Sequence, residues 1–197
     1  MGLIFNDGHK PKQQILLQPS IGLDSDVRYP VAEILNITLA NEAVLAQKTR
    51  SALWNVHGAG FDDRHDLFDL QSKQMNTISE GIAERVQVLG GLPVGSFGEF
   101  IKYTRLTEQP GDVPDMMDLL ADHEIAIRSL RKDARKCSEE YEDEVTCAFM
   151  IGILCLHEKM AWRLRSNFEP ELPSDRSQGR LCEWRNDDLP PLQAGNR

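Results

Sequence analysis

Apolar residues recur at helical spacing in four long stretches of this 197-residue chain, and glycines or prolines punctuate the spaces between them. Val31, Leu35, Leu39, Ala46 and Leu53 follow one another at steps of four and seven, and Gly58 closes the run. The second stripe is Phe68, Met75, Ile78, Ile82 and Leu89, stopped by Gly90, Gly91 and Pro93. Met116, Leu120, Ile127, Leu130, Ala134 and Cys137 form the third, and Val145, Phe149, Ile153, Leu156, Met160 and Leu164 the fourth. A period near 3.6 sustained over some 25 residues buries a face only by packing against other helices. No segment shows the alternation of a half-buried strand. The pattern therefore predicts an all-α antiparallel four-helix bundle, with helices over about 29–57, 62–89, 113–138 and 143–168. A short helix over 97–103 is expected within the long connection between the second and third, and Asp112 before Pro114 as the cap of the third. Residues 1–28 read as an extended arm, 29–169 as the bundle domain, and 170–197, with Pro170, Pro173, Pro190 and Pro191, as an irregular tail.

The second helix carries the chemistry. His65 and Asp69 are four residues apart, as are Glu80 and Glu84, so each pair shares a helix face. Eleven residues separate Asp69 from Glu80, a rise of roughly 16 Å, too far for one ion to bind both pairs. The same eleven residues return to nearly the same face, on the side opposite the apolar stripe. Two copies of the helix, antiparallel about a two-fold axis near Met75, would set His65 and Asp69 of one chain against Glu80 and Glu84 of the other. Acidic residues opposite a stripe also make an ordinary solvated face, and spacing alone leaves both readings open.

Charge narrows the partners. A net charge of −9 repels phosphates, which disfavours nonspecific binding to nucleic acid or anionic membrane and suits cation handling. The stretch Met1 to Lys10 lacks the layout of a secretory leader, Asn6 breaks the myristoylation pattern, and no apolar run approaches the roughly 20 residues of a spanning helix. Cys137, Cys147, Cys155 and Cys182 form no C-x-x-C and read as reduced thiols in a reducing cytoplasm.

The ordered set Ala52-Leu-Trp-Asn-Val-His-Gly-Ala-Gly-Phe61, His65, Leu67-Phe68-Asp69, Glu80, Ala83-Glu84-Arg85 and Leu89-Gly90-Gly91, with His157 to Glu169 near the end, resembles the Dps miniferritins. The likeness covers about residues 30–169. It implies a ferritin-like bundle with a short helix in the middle connection, assembled as a twelve-subunit cage that oxidises Fe(II) and stores ferric iron against peroxide stress. It also implies a ferroxidase centre shared across each two-fold interface, with His65 and Asp69 matching one chain's contribution and Glu80 and Glu84 the other's. Glu80 replaces a more usual Asp. The larger departure is Leu53, which stands where the family commonly has a further His beside the Trp, here Trp54. His57, four residues on, could substitute for that ligand or be a surface or capping histidine. Mixed imidazole and carboxylate donors suit Fe(II), and the same donors suit another divalent ion such as Zn(II). Leu53 keeps a second reading open: a cage with a degenerate site, serving as a structural, cargo-associated or DNA-associated shell.

The remaining motifs carry less. Glu139, Glu140, Glu142, Asp143 and Glu144 bunch before the last helix, as a cation-attracting pore lining or as acids suiting a helix N-terminus. His123-Glu124 and His157-Glu158 start like H-E-x-x-H, but Ile127 and Ala161 replace the second His. Both histidines are expected to be surface or partly buried. The arm's Lys10, Lys12 and Arg28 are offset by Asp7, Asp24 and Asp26, and the arginines of the tail by its acids, so DNA binding is expected to be weak or absent. Leu181 and Trp184 in the tail are expected to dock on the cage.

Overall fold

In a computed structural model, residues 19–168 can be described, and they are helical apart from short connections. The helices are α1 (Ser25–Asn55), α2 (Phe61–Val88), α3 (Phe97–Tyr103), α4 (Met116–Glu139) and α5 (Glu144–Arg165). The expected tail, most of the expected arm, Leu181, Trp184 and Cys182 lie outside the described residues. α1 packs along α2 and α4 along α5, with α1 also touching α3 and α4. Pairings across the bundle fix direction. Gln71 Nε2 donates to Met160 O at 3.1 Å and Arg85 Nε to Thr146 Oγ1 at 3.0 Å, so α5 descends as α2 ascends. The Arg165–Glu124 and Arg131–Glu158 pairs show the same antiparallel relation between α4 and α5. This is the antiparallel four-helix bundle with a short helix in its long connection that the periodicity predicts.

The α2 stripe is buried throughout: Phe68, Met75, Ile78, Ile82 and Leu89 all face the core with Leu35, Leu45, Leu119, Met150, Met160 and Leu164. Each such side chain contributes about 1.5–3 kcal/mol by leaving water. On α5 the stripe differs from expectation, because Val145 and Leu156 are exposed while Thr146, Met150, Leu154 and His157 turn inward. α5 is also long and apolar enough, by length and composition, to cross a membrane, which the sequence reading did not anticipate. Its inward face packs on α4, and its C-terminal half carries His157, Glu158 and Lys159.

Helix ends shift for local reasons. α1 begins a turn before the expected Tyr29, with Pro30 inside it. The buried Arg28 guanidinium holds that turn, donating to Leu23 O and Leu89 O at 3.0 Å each, so one side chain also closes the carbonyl end of α2. α4 is capped by Asp115 rather than Asp112. Its carboxylate accepts from Met117 N and Asp118 N, and Asp118 returns the bond to Asp115 N at 2.9 Å. Ser96 and Glu99 make the same reciprocal box on α3.

Candidate metal centre

α2 presents His65, Asp69, Glu80 and Glu84 away from the buried stripe. The side chains of His65 and Asp69 are 44% and 39% exposed, and Glu80 and Glu84 are open to solvent, so all four stand at a surface where another molecule could reach them. The His65 ring lies 5.4 Å from that of Phe61, and its Nδ1 is 3.8 Å from Asp66 Oδ1. Asp69 is already engaged. Lys73 Nζ sits 2.6 Å from its Oδ2, an ammonium in the place a cation would take. Among the described residues no three His, Cys, Asp or Glu side chains of this chain converge on a point that could hold a metal ion. For the two α2 pairs the three turns of helix between them are the physical reason.

The stretch that precedes α2 is arranged differently from a continuous helix. α1 ends at Asn55, whose amide donates to Ser51 O at 2.8 Å; Val56 turns extended and Gly58 takes a φ of 81°. His57 therefore lies in the connecting turn rather than one helical turn beyond Leu53. It is exposed, and its Nδ1 lies 2.8 Å from Asn55 O, which leaves Nε2 pointing elsewhere. Arg64 donates to His57 O at 2.8 Å and pins that turn to the start of α2. Leu53 packs partly into the core, whereas Trp54 is 67% exposed.

The acid cluster divides in two. Glu139, Glu140, Glu142 and Glu144 are exposed, and Asp143 is buried. Asp143 caps α5 by accepting from Thr146 N at 2.9 Å and takes a two-pronged contact from Arg85 Nη2 at 3.2 and 3.3 Å. Since Arg85 follows Glu84, this pair ties the end of α2 to α5.

Sequence reasoning missed a second polar cluster. Glu42, His123 and His157, from α1, α4 and α5, are all essentially inaccessible to water. His157 Nε2 lies 2.8 Å from Glu42 Oε1, and His157 Nδ1 lies 2.9 Å from His123 Nδ1. Each occupies a stripe position: Leu39, Glu42, Ala46; Leu119, His123, Ala126; Ile153, His157, Met160. That register was the available signal.

Comparison with known proteins identifies the family of the fold. The ferritin-like domain family matches residues 32–170. An uncharacterized low temperature-induced protein of Nostoc sp. is 37% identical over 154 residues, 76% of this chain and 86% of that protein. DNA protection during starvation protein 2 of Bacillus anthracis is 30% identical over 139 residues, covering 69% of this chain and 94% of that protein. A solved Dps protein from Vibrio cholerae O1, described as a member of a broad superfamily of ferritin-like diiron-carboxylate proteins, superposes with a TM-score of 0.71 at 27% identity over 77% of this chain and 97% of that one.

Proposed function

The chain belongs to the ferritin-like family, in its Dps branch, and from that premise we propose that it is a cytoplasmic miniferritin that takes up Fe(II), oxidises it at sites between subunits and stores the ferric product in a twelve-subunit cage. The observation that carries this reading is the outward display of His65, Asp69, Glu80 and Glu84 on one face of α2, in two sets that one chain cannot bring together. A two-fold partner closes the gap, because an antiparallel α2 sets each chain's first pair against the other's second.

His65 supplies a borderline nitrogen donor, and Asp69, Glu80 and Glu84 supply oxygen donors whose charge offsets that of the iron before and after oxidation. Two Fe(II) ions each give one electron to a peroxide; its O–O bond breaks and leaves as two hydroxides, and the Fe(III) passes to the mineral. Entry of the cation displaces the Lys73 ammonium from Asp69. His57, through Nε2, is the residue of this chain best placed in sequence to add an imidazole. The test is anaerobic Fe(II) titration followed by peroxide, read by ferric absorbance. The wild-type protein should exceed the uncatalysed rate, and His65→Ala should abolish the excess. No excess in the wild type would overturn the reading.

Leu53 supports a second reading. Its side chain is partly packed into the core where the family commonly carries a ligand, which favours a cage with weak oxidising activity, and the remaining imidazole and carboxylate donors also suit Zn(II). Leu53→His should then raise Fe(II) oxidation sharply, and an already fast wild-type protein argues against this alternative.

A further inference from the structure

The buried Glu42–His157–His123 layer takes no part in the proposed iron chemistry, and burying a carboxylate with two imidazoles is costly unless their protons are arranged to suit. The arrangement can be worked out from the two contacts. With Glu42 ionised, the His157 Nε2 to Glu42 Oε1 approach of 2.8 Å places a hydrogen on Nε2. The Nδ1 to Nδ1 approach of 2.9 Å between His157 and His123 has room for one hydrogen, on either ring but not on both. The contact therefore holds with both imidazoles neutral or with one of the two charged. A further proton puts hydrogens on both facing nitrogens and breaks the contact.

The surroundings offer no compensation to a charged His123. Among the described residues its Nε2 is buried without a partner, and so is Glu42 Oε2. Beside it Asp122 is already held by Lys48 at 2.5 Å, and α2 contributes the neutral Gln71, whose amide donates to Met160 O. Among the described residues the titratable groups in or beside the layer are thus Glu42 and Lys48 from α1, Asp122 and His123 from α4, and His157 from α5. Burial, and next the neighbouring His157, hold the His123 imidazole well below its ordinary value.

We propose that Glu42, His157 and His123 form an acid-sensitive latch that ties α1, α5 and α4 together in the core and opens when the imidazole pair takes up its second proton. The sign follows from linkage. In the unfolded chain each imidazole binds a proton near about pH 6.5, whereas the folded pair takes at least one fewer, so stability present above that pH is lost as pH falls below it. One excluded proton raises the unfolding equilibrium constant about tenfold between pH 7.5 and 5.5.

The experiment compares full-length wild type with His123→Asn, which keeps an amide donor near the Nδ1 position and cannot titrate, by urea unfolding at both pH values and fixed protein concentration. The wild-type constant should rise about tenfold more than that of the variant, since every other group is common to both. At pH 5.5 backbone amide exchange around residues 119–127 and 153–161, corrected for intrinsic rate, should be faster in wild type relative to pH 7.5 and unchanged in the variant. Equal pH dependence in the two proteins overturns the proposal. Should the variant fail to fold, deuterium exchange at histidine C2, read by mass spectrometry on the intact wild type, decides it. His123 should stay uncharged to pH 5.5, and titration near about pH 6.5 in the folded protein refutes the latch.

Discussion

Asp143→Ala should be among the most damaging single substitutions outside the apolar core. The Asp143 side chain is 1% exposed and accepts bonds from Thr146 N, from Thr146 Oγ1 at 2.5 Å and from Arg85 Nη2 at both oxygens. Removing the carboxylate deletes the cap of α5, about 1 kcal/mol. It also strands the Arg85 guanidinium, whose side chain is only 16% exposed, and loss of one partner from a buried pair costs about 3–5 kcal/mol. The cap bond belongs to the same network, so the two do not simply add, and about 4 kcal/mol is the expected total. Asp143→Asn keeps an oxygen for the Thr146 amide and loses the charge and the second acceptor oxygen, which should cost about half as much. Urea unfolding followed by far-ultraviolet circular dichroism at pH 7 and constant protein concentration reads both values. A loss under about 1 kcal/mol for Asp143→Ala, or an Asp143→Asn protein as stable as the wild type, would refute the claim that the α2–α5 tie is ionic and buried.

Two further outcomes follow from backbone and thiol chemistry. Gly90 sits at φ +79° with space for a Cβ only 2.8 Å from Pro19 Cδ and 3.1 Å from Arg28 Nη1, so Gly90→Ala should cost about 1–3 kcal/mol, read by the same unfolding assay. Burial pushes the Cys137 thiol up to about 12, while Cys155 is exposed. At pH 8 iodoacetamide should label Cys155 readily and Cys137 roughly a thousandfold more slowly, as mapped by peptide mass spectrometry.

The sequence was most informative where periodicity acts alone. The α2 stripe is buried at every expected position, and the bounds of α3 come out as 97–103 because Ser96 and Glu99 form a local capping box. Tertiary contacts decided what periodicity could not. Arg28 reaches Leu89 across 61 residues and carries α1 a turn past Pro30 toward the N-terminus, and Asp115 outcompetes Asp112 because Asp118 stands three residues on to return its bond. On α5, Val145 and Leu156 fit a helical stripe by hydrophobicity, yet the inward face is set by Thr146 and His157, which find polar partners in the core. For the candidate centre, the two α2 pairs and their outward direction were readable from spacing. The position of His57 was not, since it depends on α1 breaking at Asn55, and neither was the Lys73 ammonium on Asp69, which required seeing the side chains.

The central claim is that two chains jointly build each metal site, and subunit complementation tests it most directly. His65→Ala and Glu84→Ala proteins, each inactive alone, are unfolded, mixed in equal amounts and refolded together. A site shared across a two-fold axis gives mixed dimers one doubly damaged site and one intact site, so the mixture should recover about a quarter of wild-type Fe(II) oxidation. Recovery of none, with co-assembly verified by mass spectrometry, would contradict the account.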